Sequence, residues 1–146
     1  MKWQIIVVGK PALPWARQGV EDYAGRLRRM ASVEVTHLRE GSPSQVGAKA
    51  LEASEGAWRI VMDERGRQMS SVALAQWIAK QELSGRKRVC LLIGGADGHP
   101  PEVRDAADEL WSLSSMTLQH ELALVVLMEQ IYRACSINRG EPYHRV

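Results

Sequence analysis

Apolar residues fall along this chain in two alternating rhythms. Five short apolar runs, near residues 3–8, 33–38, 59–63, 89–93 and 111–114, have the length of strands. They alternate with five segments whose apolar residues recur at helical spacing, the pattern of an α/β domain with a largely parallel sheet of five or six strands. Pro14 opens the first helix, with Ala16, Val20, Tyr23, Ala24 and Leu27 at helical spacing and Arg26, Arg28 and Arg29 near an end that favours cations. The second begins after Ser42 and Pro43 and runs to about Ser54. The third starts at Ser70 or Ser71 and carries Val72, Leu74, Ala75, Trp77, Ile78 and Leu83; Gly56 and Gly85 stop the two. A fourth, short and amphipathic, is entered through Pro100 and Pro101 and sets Val103, Ala106, Ala107 and Leu110 opposite acids. The last, residues 121–138, is apolar over most of its circumference. Such a helix is buried, and in so small a domain the expected covering is the sheet on one side and a second subunit on the other.

Composition narrows this picture. With 146 residues, 45% of them hydrophobic and 25% charged, the chain has the make-up of one soluble globular domain, residues 1–146. The longest apolar run, residues 122–128, is far below the roughly 20 residues that cross a bilayer. The apolar stretch behind Lys2 is too short for a signal-peptide core, so the expected location is the cytoplasm, with no membrane partner. Cys90 lies in a strand-like run and Cys135 in a helix-like one, which fits buried, reduced thiols better than a disulfide or a metal site. The net charge of +2 demands no nucleic-acid partner, but its distribution is uneven. Basic residues dominate the first forty positions and acidic ones residues 95–121, an asymmetry that suits RNA and equally describes a solvated face.

Three segments have the residue types for chemistry. The apolar run 89–93 leads straight into Gly94, Gly95 and Gly98, and ligands of open α/β sheets bind at such strand ends, where glycine lets main-chain amides come close. The spacing is neither a dinucleotide fingerprint nor a phosphate loop, and a tight structural turn accounts for it equally well. Residues 111–120 are neutral and hydroxyl-rich, with a backbone suited to lining a pocket or to capping the following helix. The tail ends in Tyr143, His144 and Arg145, groups that stack on a base, manage a proton and meet phosphate, although terminal residues are usually inert. No nucleophile elbow, carboxylate pair or His/Cys cluster at ligand spacing occurs, which disfavours a hydrolase or a metalloenzyme.

Together these segments resemble the RlmH (YbeA-type) family of SPOUT methyltransferases over the whole chain, through "VVGK", "DERGR", "LLIGG" with Gly98, "LSSMTLQHELA", "LMEQIYRA" and "GEPYHR". The resemblance implies a SPOUT fold with a C-terminal trefoil knot, a rare exception to unknotted topology. It implies transfer of a methyl group from S-adenosyl-L-methionine to N3 of a pseudouridine in 23S rRNA of the large ribosomal subunit, by a homodimer that needs no metal. The implied cofactor residues are Met62, Gly94, Gly95, Ser114, Ser115, Met116, Thr117, Leu118 and Gln119; the implied catalytic ones are His144, Arg145 and Tyr143. His144 is assigned the imide proton, Arg145 the anionic base or phosphate, and Tyr143 positioning or stacking. Two positions depart from the family pattern: Met62 stands for a more usual leucine, and Gln119 for a proline, the latter expected to loosen the cofactor loop. The competing expectations are a non-catalytic RNA-binding or ribosome-assembly dimer that keeps the fold, and a nucleotide-binding α/β enzyme unrelated to RNA.

Overall fold

The structure is a computed structural model and describes residues 1–145. Five parallel strands form one sheet in the order β2-β1-β4-β3-β5. They are β1 (Lys2–Val8), β2 (Ser32–Leu38), β3 (Trp58–Arg67), β4 (Arg88–Ile93) and β5 (Glu109–Trp111). Side chains alternate along each strand and feed two cores. Trp3, Ile5 and Val7 of β1, with Val89, Leu91 and Ile93 of β4, meet α1 (Pro14–Leu27), α3 (Ser71–Leu83) and α5 (His120–Asn138). On the other face Ile6, Val61, Cys90 and Leu92 meet α2 (Pro43–Ala53) and α4 (Pro101–Asp105). Helices thus cover both faces, as the near-continuous apolar runs of β1 and β4 require.

Local chemistry sets most boundaries. Pro14, Pro43 and Pro101 each open a helix, and the Ser42 and Ser70 hydroxyls accept from the Gln45 and Ala73 amides. Gly56 and Gly85, both at φ +79°, turn the chain after α2 and α3. Among the described residues no helix is long and apolar enough to cross a membrane.

Three expected elements move. The last strand is Glu109–Trp111, so residues 112–119 are irregular and only Trp111 of the expected run is in the sheet. The fourth helix ends at Asp105, because the chain must turn at Ala106 to place Leu110 beside Val61. The third strand continues to Arg67: Met62 and Arg67 both pair with Trp111, and residues 63–66 loop out between them. Gly66 permits this, since a Cβ there would lie 2.6 Å from the main-chain carbons of Leu110 and Trp111.

The last helix is buried, but largely by its own chain. Leu127, Met128 and Ile131 are at most 1% exposed, enclosed by α1, α3 and the sheet. A second subunit is therefore not what covers Leu127 or Ile131; a charge at either would break the core of one protomer. Leu122, Val125 and Val126 remain half-buried.

Candidate functional site

Beyond the carboxyl ends of β3, β4 and β5 three segments leave the sheet together and enclose a cleft of about 430 Å³. That volume is within the range of about 300–1,000 Å³ usual for small-molecule sites, and its position is the usual one for open α/β sheets. Met62 and residues 63–65 form one wall, the glycine turn after β4 a second, and residues 111–118 the third. A smaller cavity of about 190 Å³ shares Met62, Trp111, Ser112 and Leu113 and reaches Leu74 and Leu127.

Of the implied cofactor residues, Met62, Gly94, Gly95, Ser114, Met116, Thr117 and Leu118 line this cleft. Ser115 and Gln119 do not. Ser115 is exposed, and Gln119 caps α5 by accepting from the amides of Glu121 at 2.8 Å and Leu122 at 3.0 Å. With φ at −61°, Gln119 keeps the backbone a proline would impose and adds two hydrogen bonds, so the exchange secures the end of the loop instead of loosening it.

The glycine turn is braced from beneath. Gly95 and Gly98 form an isolated bridge, and Gly98 has φ +72°. A Cβ on Gly94 would lie 3.0 Å from the Gly98 carbonyl carbon, whereas one on Gly95 would meet the Val8 side chain at 3.3 Å, away from the cleft wall. The His99 ring donates to the Leu92 carbonyl at 3.0 Å, and Arg104 donates to the His99 carbonyl at 2.6 Å. Burial lowers the His99 pKa, which keeps the ring neutral in this role.

The opposite wall is charged, through residues of "DERGR". Asp63 accepts from the Arg65 side chain at 2.9 Å and lies 3.9 Å from Arg104; the Arg65 hydrogen bonds outweigh desolvation and hold the carboxyl at about 2. Glu64 accepts from the Thr117 hydroxyl at 3.0 Å, which ties the two walls together. The cleft therefore combines an apolar shelf of Met62, Leu113 and Leu118, the backbone of the glycine turn, and a charged wall in which the acids Asp63, Glu64 and Asp97 outnumber Arg65 and Arg104. This is a match for a ligand with a flat heterocycle, hydroxyls and a cationic end. Cys90 and Cys135 are buried outside it, and burial pushes both thiols up to about 11, leaving them unreactive.

The tail is elsewhere. None of Tyr143, His144 and Arg145 lines the cleft of its own chain. Tyr143 packs edge-on against Tyr132 with ring centroids 4.7 Å apart, and its hydroxyl meets that of Tyr23 at 3.1 Å and Glu129 at 3.2 Å. Burial first, then the Tyr23 hydrogen bond and the Glu129 charge, raise its pKa, so it is a neutral anchor with its ring engaged and not a free stacking platform. His144 is 3.2 Å from Arg133, and Arg145 is exposed. Glu141 is gripped by Arg29 at 2.7 and 2.8 Å, which holds its carboxyl at about 2. Arg26 pairs with Asp22, so two of the three arginines at the end of α1 are already engaged within the chain. The tail is docked on α1 and α5, contrary to an inert end. Glu129 and Arg133, which hold it, fall within "LMEQIYRA" but had no assigned role; their i,i+4 spacing on a helix was the available signal.

Comparison with known proteins bears on this cleft. The profile of a family described as "Predicted SPOUT methyltransferase" matches residues 1–144. The chain is similar to Ribosomal RNA large subunit methyltransferase H of Thermus thermophilus, 46% identical over 145 residues with 99% of each chain covered. The protein of that name from Deinococcus deserti is 42% identical, with 99% of this chain and 100% of the relative covered. Solved structures agree in fold. A probable methylase family protein from Haemophilus influenzae superposes with a TM-score of 0.61 at 9% identity, covering 99% of this chain and 70% of the other. The tRNA (m1G37) methyltransferase from Aquifex aeolicus gives 0.58 at 14% identity, covering 100% and 76%.

Proposed function

Because the chain belongs to the SPOUT methyltransferase family, we propose that it is an S-adenosylmethionine-dependent methyltransferase acting on N3 of a pseudouridine in large-subunit 23S rRNA. The observation that carries the reading is the likeness along the whole chain to relatives named for methylation of large-subunit rRNA. The cleft supports it: the apolar shelf suits adenine, the glycine-turn amides and residues 114–118 suit the ribose and the methionine part, and Asp63 and Glu64 favour the positive charge. Met62, the glycine turn and residues 114–118 would hold S-adenosylmethionine, which when bound would supply an electrophilic methyl for N3.

The protein's own task is to hold N3 in line and to draw the base out of its stack. The tail residues carry this task, and since they do not reach the cleft of their own chain, the reading requires a homodimer in which one protomer's tail serves its partner's cleft. Half-buried Leu122, Val125 and Val126, with Trp15 at 54% exposure, offer the apolar surface for that pairing. The C-terminal trefoil knot, a cytoplasmic location and a substrate of assembled large subunits or ribosomes belong to the same reading, in which the combined surface of two subunits meets RNA that is already folded.

The test is methyl transfer from labelled S-adenosylmethionine to ribosomes lacking the modification, alongside the same RNA stripped of protein. Label on N3 of a pseudouridine in the ribosome sample is the expected result; cofactor binding with no transfer to either substrate refutes the enzyme reading. A sharper check of the cleft follows from the glycines. Gly94→Ala, forced against the Gly98 backbone, is expected to weaken S-adenosylmethionine binding about tenfold or more by calorimetry, and Gly95→Ala, which meets only the Val8 side chain, about threefold or less. The reverse order would mean that the turn does not hold the cofactor as described.

A further inference from the structure

We infer that Arg133 is a positioning residue that fixes the tautomer of His144, so that this imidazole offers an Nε2–H hydrogen bond to the target base and does not take its proton. The inference rests on the proposed methyltransferase reading and reverses the role that residue type alone suggests for His144.

A guanidinium has only donors and remains protonated. Arg133 Nη1 lies 3.2 Å from His144 Nδ1, so Nδ1 must be the acceptor. A neutral imidazole carries one N–H, which is then on Nε2. For His144 to act as a base through Nε2, its proton would have to sit on Nδ1, pointed at a positively charged donor.

Arg133 is not free to turn away from this arrangement. Its Nε and Nη2 donate to Glu129 Oε1 at 2.9 and 2.6 Å, one helical turn back. Its guanidinium also lies over the Tyr143 ring, 4.7 Å from the centroid. With its Nε–Nη2 edge on one carboxylate oxygen and one face on an aromatic ring, the group has Nη1 left to present to His144. The Glu129 hydrogen bond, the largest influence, raises the Arg133 pKa and keeps the donor charged. Tyr143 is fixed in turn, donating to Glu129 and accepting from Tyr23, so the residue before His144 is tied to both α1 and α5. Glu129, Arg133, Tyr143 and Tyr23 form one cluster whose exit is the His144 ring.

The chemical consequence lies on the base. When a pseudouridine imide loses its N3 proton to water, negative charge spreads over N3 and the two flanking carbonyl oxygens. A neutral Nε2–H aimed at one of those oxygens stabilises the anion and leaves the N3 lone pair free to attack. His144 then neither gains nor loses a proton during transfer.

The experiment is a long-range proton–nitrogen correlation spectrum of full-length protein labelled with 15N-histidine, recorded without RNA in mildly alkaline buffer. His37, His99, His120 and His144 are assigned by single substitution. The expected His144 signature is a pyridine-type Nδ1 and a protonated Nε2, shifting to a mixture in Arg133→Met and preserved in Arg133→Lys. In transfer assays Arg133→Met is expected to lower kcat about 10- to 100-fold with KM for S-adenosylmethionine unchanged, and His144→Gln, whose amide reaches the Nε2 position, to exceed His144→Asn about tenfold. A protonated Nδ1 in the wild type, or the same tautomer in Arg133→Met, overturns the inference, as does a wild-type kcat in Arg133→Met. Since the spectrum is read without substrate, absence of methyl transfer in the wild type would sink the functional reading and leave the tautomer assignment standing.

Discussion

Deleting residues 143–146 is expected to reduce methyl transfer at least about 100-fold while leaving S-adenosylmethionine binding within about twofold, because on the proposed function the tail supplies the base-facing groups, while Tyr143, His144 and Arg145 line no part of their own chain's cleft. The deletion is not free of structural cost. It removes the edge-on contact of Tyr143 with Tyr132 and the hydroxyl contacts to Tyr23 and Glu129. For a half-buried tyrosine these amount to roughly 1–2 kcal/mol, which a folded domain survives. Val146 lies outside the described residues, and nothing in the expectation rests on it. His144→Ala and Arg145→Ala test the two presented groups with Tyr143 still docked, so each is expected to lower kcat without a change in thermal stability. Mixing the truncated protein with a Gly94→Ala protein gives a further check. If tails serve the partner's cleft, random exchange of equal amounts of the two, assayed with S-adenosylmethionine too dilute to fill the Gly94→Ala cleft, restores activity to about a quarter of the wild-type level, through heterodimers with one intact site. Methylation at the native rate by the truncated protein would return the tail to an ordinary terminus.

The largest effect on stability is expected at Glu121, the one buried acid among the described residues, which falls within "LSSMTLQHELA" but was given no role there. Its Oε1 accepts from the amides of Ala12 at 2.8 Å and Leu13 at 3.2 Å, at the entrance to α1, where Leu13 has no capping side chain of its own. A carboxylate at that end also meets the positive pole of the helix. Burial alone would raise the Glu121 pKa; the donors of Leu13, Ala12 and Gln119 and the nearby His120 more than offset it, and the net shift is downward. Removing the acceptor strands two amides, so Glu121→Ala is expected to cost about 2–3 kcal/mol, or a Tm lower by roughly 5–10 °C. Glu121→Gln keeps the shape, loses the charge, and is expected to cost about 1 kcal/mol. The downward shift fixes the sign of the pH dependence. The folded carboxylate holds its proton less tightly than the unfolded one, so its contribution is complete above the ordinary glutamate range and fades as pH falls through the folded value. Unfolding by urea as a function of pH, compared between the wild type and Glu121→Gln, should show a gap that closes in acid. A gap of constant size would mean that Glu121 contributes shape and not charge.

The local rhythm of the chain was enough to place the elements. Residues three or four apart on a helix and two apart on a strand share a face, so Leu27, Ile78 and Leu91 could be assigned to cores without knowing what they touch. The prolines and glycines at the element ends carried their own conformational limits, and the glycine turn after β4 was legible because a side chain on Gly94 would press on the Gly98 backbone. Strand order was not legible, because β4 enters between β1 and β3 to satisfy packing on two faces at once, and periodicity does not encode neighbours. For the same reason the end of the fourth helix and the start of β5 were misplaced: Leu110 has helical spacing from Val103, yet it pairs beside Val61. The cleft walls come from positions around 63, 95 and 115, and only the sheet brings them together. Glu109 shows the limit most sharply. Its carboxylate receives the indole N–H groups of Trp58, Trp77 and Trp111 at 2.7, 3.1 and 3.1 Å, binding β3, α3 and β5 at one point. In sequence it is one acid among seventeen, Tyr23 is as plain, and Glu129 and Arg133 stand in "LMEQIYRA" with nothing to say that they hold the tail. Short-range pattern decides which face a residue shows; which polar groups end up sharing a hydrogen bond is decided by residues tens of positions away, and so by the tertiary structure alone.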